Sequence, residues 1–534
     1  MQSAALLSAL FIFLIGLGVL LVITLFILDI SQTKDAICHN FPVIGRFRYL
    51  FSRLGEFFRQ YFFAMDREEM PFNRAERDWV YHSAAGIDNT IAFGSTKPLN
   101  TPGTVLFVNT PFPTLDEDAY RTPPLVIGPG CREPYKSSSL IHISGMSFGA
   151  ISIPAVRALS HGAKQSNCWL NTGEGGLSPY HLEGGCDLVF QIGTAKYGIR
   201  LSDGSLSEAK LREIAAIPQV KLFEIKLSQG AKPGKGGILP GAKVTKEIAT
   251  IRCITAGKDS ISPNRHPEIS NFSELLSFIN RIRDISGKPV GFKIAVGTHT
   301  WLEEMCDMIH QCGTACAPDF ITIDGGDGGT GAAPMPLMDS VGLPIKAALP
   351  KVVDILQRHG LRNRIKVIAS GKLITPSETT WAFCVGADFV TSARGFMLAM
   401  GCIQALKCNK NTCPTGITTH NKRLQQGLDP QQKAVRIKNF VDKIHYGSGL
   451  IAHSCGVPHP RALCRHHCQI IQANTQPISL DELYPPQQTR PEYQPVVEQE
   501  NHSRDIMKKS MLHQGLRPVC PCSVKPWAGR APLT

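Results

Sequence analysis

The sequence lacks internal repeats, low-complexity stretches and any familiar nucleic-acid-binding motif, and it has few charged residues, 19% in all. Collagen-like and disordered proteins are excluded, because such chains are compositionally biased and poor in apolar residues. What is present is an ordinary globular composition, 43% hydrophobic over 534 residues, with room for a large core. The formal net charge of +13 suits anionic lipid or anionic substrates, and without a supporting motif we expect no nucleic-acid partner.

Residues 4–28 form a run of 25 residues without a charged side chain. At about 1.5 Å per residue, a helix over this run exceeds the hydrocarbon core of about 30 Å, which predicts a transmembrane span. A cleaved signal peptide has a basic start and a small-residue cleavage site, and neither is evident. Basic residues such as Lys34, Arg46 and Arg48 follow the run and none precedes it, so the positive-inside rule predicts a single-pass protein whose catalytic domain is cytoplasmic.

Residues 46–63 interleave arginines with ten apolar or aromatic side chains. This pattern is typical of an amphipathic helix lying in the membrane interface. A helix packed on the soluble domain fits the pattern equally well, and the sequence leaves both alternatives open.

The middle of the chain alternates short apolar runs with amphipathic stretches, which indicates a parallel sheet. Predicted strands cover 141–144, 188–191, 222–226, 290–294, 320–323, 366–369 and 389–391. Predicted helices cover 272–285, 300–311, 345–358 and 377–385. The span of nearly 300 residues and the glycine-rich strand ends favour an α/β fold with a closed (β/α)8 TIM barrel, whose chemistry lies at the carboxyl ends of the strands.

Three late strand ends carry the residues typical of a phosphate site. The first loop contains Asp324, Gly325, Gly326, Gly328 and Gly329, where missing β-carbons let backbone N–H groups approach an anion. The next two loops contain Ser370, Gly371 and Lys372, and then Ala393 and Arg394. Consecutive loops rich in glycine, serine and a cation predict a phosphate-bearing ligand.

The 17 cysteines are spread along the chain, so they are interpreted by local spacing and favour a reduced compartment. Cys402, Cys408 and Cys413 have the spacing C-x5-C-x4-C and are followed by proline. Three thiolates on one loop suit an iron–sulfur cluster, because soft sulfur ligands favour iron or zinc. A zinc site completed by His420, or three buried structural cysteines, are the alternatives.

Several motifs in barrel order resemble the central synthase domain of glutamate synthase. They are residues 171–176 (NTGEGG), 225–234 (IKLSQGAKPG), 239–241 (LPG), 327–332 (DGGTGA) and 401–402 with 411–414 (GC and NTCP). The whole chain, including the apolar run and residues 40–45 (NFPVIG), more closely resembles the stand-alone bacterial FMN-binding glutamate synthase family. This resemblance implies an enzyme of the bacterial inner membrane.

The resemblance implies FMN in the barrel mouth beside a [3Fe-4S] cluster held by the three cysteines. The implied reaction is reductive amination of 2-oxoglutarate to glutamate through 2-iminoglutarate. By motif, Lys232 and Arg252 hold the substrate carboxylates, and Gln229 and Glu174 orient the keto or imino end. Lys226 and Lys293 are implied to stabilise charge on the reduced flavin, and Met146 and Ser147 to contact it.

Departures from the large enzymes bear on its partners. No glutaminase-type Cys/His hydrolase arrangement is recognisable, so we expect nitrogen from ammonia or a separate glutaminase. Outside the glycine-rich barrel loops no G-x-G-x-x-G fingerprint occurs, so we expect electrons from an external protein, ferredoxin-like or membrane-bound. The alternative functions are a membrane-tethered electron-transfer module, or an FMN oxidoreductase of another 2-oxo acid or amino acid.

The predicted domain order begins with the anchor (1–30), a juxtamembrane segment (31–100) and the barrel (101–420). A helical extension (421–485) and a poorly ordered tail (486–534) follow. The extension contains a predicted helix over 429–446, capped by Asp429, and then His and Cys residues including Cys464, His466 and His467. Their spacing fits no standard zinc pattern, and scattered packing residues are the favoured interpretation.

Overall fold

A computed structural model describes residues 2–32, 35–490 and 493, and its centre is a closed barrel of eight parallel strands. In chain order the strands are β1 Ile141–Ile143, β2 Leu170–Asn171, β3 Leu188–Ile192, β4 Val220–Lys226, β5 Val290–Ile294, β6 Phe320–Asp324, β7 Lys366–Ser370 and β8 Phe389–Ser392. β8 closes the barrel by pairing with β1. The predicted TIM barrel is confirmed, and the seven predicted strands all occur. β2 was missed because two residues are too short to show a pattern.

Helices surround the barrel, and all of those named next except Met335–Ser340 contain buried residues. They are Ile153–Gln165, Pro179–Leu182, Glu208–Ala215, Lys246–Arg252, Phe272–Ser286, Thr300–Cys312, Met335–Ser340, Ile345–Arg358, Pro376–Val385 and Arg394–Ala399. The helix Phe272–Ser286 illustrates how the sequence determines where a helix begins and ends. Asn271 caps it by accepting the N–H of Glu274 at 2.9 Å, and Gly287 ends it with a left-handed φ of 73°. Its apolar face is buried against the barrel.

The segments before and after the barrel add helices and small sheets. The helices are Gln2–Ser31, Ala36–Asn40, Ile44–Phe58 with a π-helical turn Arg59–Phe63, Arg74–Ala85, Lys422–Gln425, Pro430–Ser454 and Leu480–Leu483. The strand Val105–Phe107 pairs with Cys468–Ile471, which pairs with Pro477–Ser479. Leu125–Ile127 pairs with Tyr135–Ser137, and Ile238–Leu239 with Ser260–Ile261. Single 3-10 turns cover Gly173–Gly175, Gly241–Lys243, Thr314–Cys316, Pro460–Ala462 and Arg465–His467.

The long carboxyl-terminal helix Pro430–Ser454 extends eight residues beyond its predicted end at 446. Asp429 caps it as predicted, accepting the N–H of Gln431 at 2.8 Å. The helix lies so close to Ile153–Gln165 that a β-carbon at Gly162 would be 2.7 Å from the Cβ of Ile437. In the added turns, a β-carbon at Gly447 would be 2.6 Å from the Cγ of Pro376, and Ser448 and Ala452 are buried, so tertiary packing supports the helix beyond 446.

The first helix contains a stretch, Ala5–Ser31, that is long and apolar enough to cross a membrane and is not buried by the rest of the protein. By length and composition a signal sequence passes the same test. Lys34, used to predict orientation, lies outside the described residues, as does most of the predicted tail. Of that tail, Tyr493 stacks on His310 with ring centroids 3.8 Å apart and bonds to Asp307.

Candidate functional site

A cavity of about 360 Å³ opens at the carboxyl ends of the barrel strands. The sequence-predicted residues that line it are Met146, Ser147, Glu174, Lys226, Gln229, Lys232, Arg252, Gly329, Ala393, Arg394 and Cys408. They come from loops after β1, β2, β4, β6 and β8, which meet only because the barrel closes. Among the described residues that line the cavity, one carries a negative charge and five carry a positive charge: Lys226, Lys232, Lys243, Arg252 and Arg394. The cavity therefore suits an anionic ligand.

The single carboxylate, Glu174, is the centre of this charge arrangement. Its Oε2 lies 2.8 Å from the Nζ of Lys226. Burial alone would raise the pKa of Glu174, but the nearby charges of Lys226, Lys232 and Arg252 outweigh it and lower the pKa to about 2. Glu174 is therefore ionised at neutral pH and holds Lys226 in one position.

Lys226 also connects two barrel loops. Its Nζ donates to the Oε1 of Gln229 at 3.1 Å, and the Nε2 of Gln229 donates to the Oγ1 of Thr330 at 2.9 Å. The end of β4 is thereby tied to the glycine-rich loop after β6. Lys226 and Gln229, both predicted from the sequence, are joined by this hydrogen bond, so neither side chain can move freely.

Arg252 and Lys232 are buried cations that form no described salt bridge. The guanidinium of Arg252 donates to the carbonyl of Phe148 at 2.9 Å and lies 5.1 Å from the ring centre of Tyr197. Its Nε is buried and has no partner among the described residues. Burial lowers the pKa of both Arg252 and Lys232. Because an uncompensated buried charge is costly, these cations are suited to an anion entering the cavity.

Lys293 and Asp324 form a second ion pair, with Nζ and Oδ2 3.2 Å apart, outside the cavity lining. Burial lowers the pKa of Lys293, but Asp324 and Glu224 outweigh it, so the net pKa is raised and the ammonium stays charged. Asp324 also accepts the backbone N–H of Gly230 at 3.0 Å. The pair thus fixes the loop that carries Gln229 and Lys232.

The glycine-rich loop after β6 differs from the expectation in one respect. The N–H groups of Gly325, Gly326 and Gly328 all donate to protein carbonyls, at 2.7–2.8 Å, and are not free for an anion. These glycines instead permit close packing. A β-carbon at Gly325 would lie 2.7 Å from the nitrogen of Ile345, and one at Gly329 would lie 2.7 Å from the Nε of Arg394.

The loops after β7 and β8 keep the character predicted for a phosphate site. The backbone N–H groups of Gly371 and Ala393 donate to no acceptor within the described part of the chain. Ser370 ends β7, and Lys372 follows Gly371 in a left-handed conformation with φ 51°. Available N–H groups on two adjacent loops, next to the Arg394 guanidinium, fit a phosphate group.

The three cysteines lie on one loop, and Cys408 reaches the cavity. Arg394 Nη1 lies 3.9 Å from the Cys408 sulfur. Burial alone would raise the pKa of Cys413, but hydrogen bonds from Thr415 and Thr418 outweigh it and lower the pKa, whereas burial raises that of Cys402. The loop fits a cluster through its thiol donors and adjoining cations. His420 Nε2 lies 2.7 Å from the carbonyl of Gly149, which engages one nitrogen of the alternative zinc ligand.

Sequence reasoning missed Lys243, Tyr197, Gln191 and Thr330 in the cavity lining. Lys243 is 3% exposed, and its Nζ donates to the carbonyls of Cys408 and Thr418 at 3.1 and 2.9 Å. It stands two residues after the LPG motif, and Tyr197 follows β3 by five residues. Inspection of every strand end, rather than of motifs alone, would have found both.

In the carboxyl-terminal extension, Cys464, His466 and His467 bring their ligand atoms within 4.8 Å of one another. Two of these residues are exposed, and none lines the cavity. The sequence favoured packing over metal binding for this group, and the proximity of the three ligand atoms does not test that prediction.

The family described as conserved region in glutamate synthase matches residues 111–457. The glutamate synthase large subunit-like protein YerD of Bacillus subtilis is 38% identical over 516 residues, which cover 89% of this chain and 98% of that protein. A glutamate synthase large subunit-like protein of Rhizobium meliloti is 29% identical over 368 residues, covering 65% and 79%.

The archaeal glutamate synthase [NADPH] of Methanocaldococcus jannaschii is 35% identical over 308 residues, covering 57% of each chain. The chain thus spans somewhat over half the length of the archaeal relative and almost all of the Bacillus protein. These matches confirm the predicted resemblance and, at the level of the family, the predicted enzyme class. The chain belongs to the glutamate synthase family.

Proposed function

We propose that the protein is an FMN- and [3Fe-4S]-dependent oxidoreductase that reductively aminates 2-oxoglutarate to glutamate through 2-iminoglutarate. The observation that carries the proposal is the cationic cavity wall, with Lys226, Lys232 and Arg252 around Glu174 beside a cysteine loop. An electron-transfer module needs no clamp for a dicarboxylate, so this wall favours the enzyme over that alternative.

FMN fits the cavity and its neighbouring loops. Its phosphate would be held by the N–H groups of Gly371 and Ala393 and by Arg394, with Met146 and Ser147 lining the space for the ring. When bound, FMN supplies hydride transfer to the imine carbon. Lys293, kept charged by Asp324, is placed near the ends of β5 and β6 to balance negative charge there.

The substrate contacts follow from the positions of the buried cations. Lys232 and Arg252 would bind the two carboxylates of 2-oxoglutarate, and the Nε of Arg252, which has no partner in the described part of the chain, supplies a donor. The Lys226 ammonium, between Glu174 and Gln229, would donate a hydrogen bond or a proton from Nζ to the keto or imino end. Gln229, fixed by Thr330, would orient that end.

Cys402, Cys408 and Cys413 would hold the cluster, and Lys243 joins the cluster loop to the cavity wall. A soft three-sulfur donor set fits iron–sulfur chemistry. We propose that a cluster in this loop passes electrons from an external donor, ferredoxin-like or membrane-bound, to the cavity. The apolar first helix is proposed to anchor the chain in the bacterial inner membrane with the barrel in the cytoplasm.

The test is anaerobic purification of the full-length chain in detergent, followed by flavin identification and iron and sulfide analysis. We expect FMN with a three-iron cluster. Release of FAD, or zinc without iron, would contradict the cofactor assignment. The purified protein is then supplied with a chemical reductant, ammonium and a panel of 2-oxo acids. Glutamate should form from 2-oxoglutarate; a different preferred acid would identify the alternative oxidoreductase, and no turnover with any acid would favour the electron-transfer module.

The nitrogen source is tested in the same assay. We expect ammonium to support turnover and glutamine to do so only when a separate glutaminase is added. Turnover with glutamine alone, in solutions free of ammonia, would contradict this part of the proposal.

A further inference from the structure

The segment 44–63 is unusually aromatic. Eight of its 20 residues are Phe or Tyr, whereas aromatic residues make up 7% of the chain. In the structure, Phe51, Phe62 and Phe63 are 65%, 69% and 76% exposed. The alternative that this helix buries its aromatic side chains on the soluble domain is therefore wrong for these residues. Large apolar side chains exposed in this number mark a surface that binds something apolar.

The start of this segment is fixed to the end of the apolar helix. Asp29 accepts hydrogen bonds from Arg46 Nη2 at 2.6 Å and from the backbone N–H of Val43 at 2.9 Å. The Asp29 side chain is 2% exposed, whereas that of Arg46 is 45% exposed, so the carboxylate is shielded and the guanidinium faces outward. If the apolar helix spans a bilayer, the aromatic helix begins at the bilayer surface. The segment contains four arginines against one glutamate, which suits anionic headgroups.

The cysteine loop is joined to the end of the same segment. Gln60, in the turn Arg59–Phe63, donates to the carbonyl of Ile403 at 3.1 Å, and Tyr81 donates to the carbonyl of Cys402 at 2.7 Å. Gln404 is bonded to both the N–H and the carbonyl of Phe72, at 3.2 and 2.9 Å. Ile403 itself is 39% exposed. The stretch after the first predicted cluster ligand thus lies beside the aromatic segment.

We infer that Phe51, Phe62 and Phe63, together with Arg59, lie on an anionic lipid bilayer and that this contact holds Ile403 and the cysteine loop at the bilayer surface. The inference rests on the membrane anchoring in the proposed function. It adds that the loop reaches the membrane through its own contacts, rather than moving freely on a tether. An electron donor in or on the membrane would then contact the protein beside Cys402.

The test uses the full-length chain in nanodiscs of brominated phosphatidylcholine with phosphatidylglycerol, because bromine quenches tryptophan fluorescence only at short range. Phe62→Trp and Ile403→Trp are each compared with the parent chain. Phe112→Trp is the matched control, since Phe112 is 87% exposed and lies by Gly456, beyond the far end of the long carboxyl-terminal helix. We expect bromine to quench the added fluorescence severalfold more at positions 62 and 403 than at position 112.

A charged variant tests whether the aromatic surface contacts lipid independently of the apolar first helix. Phe62→Glu with Phe63→Glu should abolish quenching at Ile403→Trp while flavin, iron and turnover with a soluble reductant stay unchanged. Equal, weak quenching at positions 62, 403 and 112 would overturn the inference. The finding that a dimer, rather than lipid, covers Phe51, Phe62 and Phe63 would also overturn it. Because quenching requires neither cofactor nor substrate, such a result would leave the proposed reaction standing.

Discussion

Replacing Arg252 with methionine tests the anion site most directly. Methionine keeps much of the side-chain volume of Arg252, a residue that is 4% exposed, and removes its guanidinium. In the free protein Arg252 makes a hydrogen bond to the Phe148 carbonyl and has a buried Nε without a described partner. The substitution removes a costly buried charge, but also one hydrogen bond and part of the attraction to Glu174. Because these effects oppose one another, we expect little change in the free energy of unfolding.

Substrate binding should respond far more strongly. A hydrogen bond to a charged group contributes about 1.5–3 kcal/mol, which corresponds to about a 10- to 150-fold loss of affinity. We expect the KM for 2-oxoglutarate to rise by this factor in Arg252→Met and in Lys232→Met, with FMN content unchanged. The assay is steady-state glutamate formation with ammonium and a chemical reductant, alongside flavin quantification and urea unfolding.

The control is Arg200→Met. Arg200 also lies over the Tyr197 ring, at 6.0 Å, but it does not line the cavity, so its KM should stay within about twofold of the parent. If KM is unchanged in both Arg252→Met and Lys232→Met, the carboxylates bind elsewhere and the reasoning from buried cations is refuted.

Three further predictions concern the cluster loop and Glu174. Cys408→Ser should lose iron and keep FMN, measured by metal and flavin analysis; full iron content would remove Cys408 from the ligand set. Lys243→Met should make the cluster harder to reduce, because the ammonium beside Cys408 favours the added negative charge; an EPR-monitored redox titration, with Lys243→Arg as the control, should show a more negative midpoint potential only in the methionine variant. Glu174 has a pKa lowered from 4.5 to about 2, so its contribution to stability is present above pH 4.5 and is lost as the pH falls towards 2. Urea unfolding at pH 5 and pH 3 should therefore show a smaller acid-induced loss in Glu174→Gln than in the parent, and identical losses would mean that the ion pair with Lys226 does not stabilise the fold.

Much of the fold could be predicted from the sequence because the relevant signals are local. Apolar runs such as 290–294 and amphipathic stretches such as 345–358 matched the observed strand and helix, since a strand buried on both faces is a continuous apolar run and a helix buried on one face is amphipathic. Strand ends and family motifs predicted every charged residue described in the cavity wall except Lys243. The apolar run at 4–28 was equally visible, as its character depends on composition alone.

Other features were decided only by the tertiary structure. The two-residue strand β2 is a strand only because its neighbours pair with it. The N–H groups of Gly325 and Gly326 are engaged by carbonyls of other segments, which no local pattern reveals. Lys243 meets the carbonyl of Cys408 across 165 residues of chain, and Gln60 meets Ile403 across 343. The order of residues along the chain specifies where charge, sulfur and apolar surface occur. Closure of the barrel decides which of these residues meet, because contacts between distant loops depend on packing rather than on local chemistry.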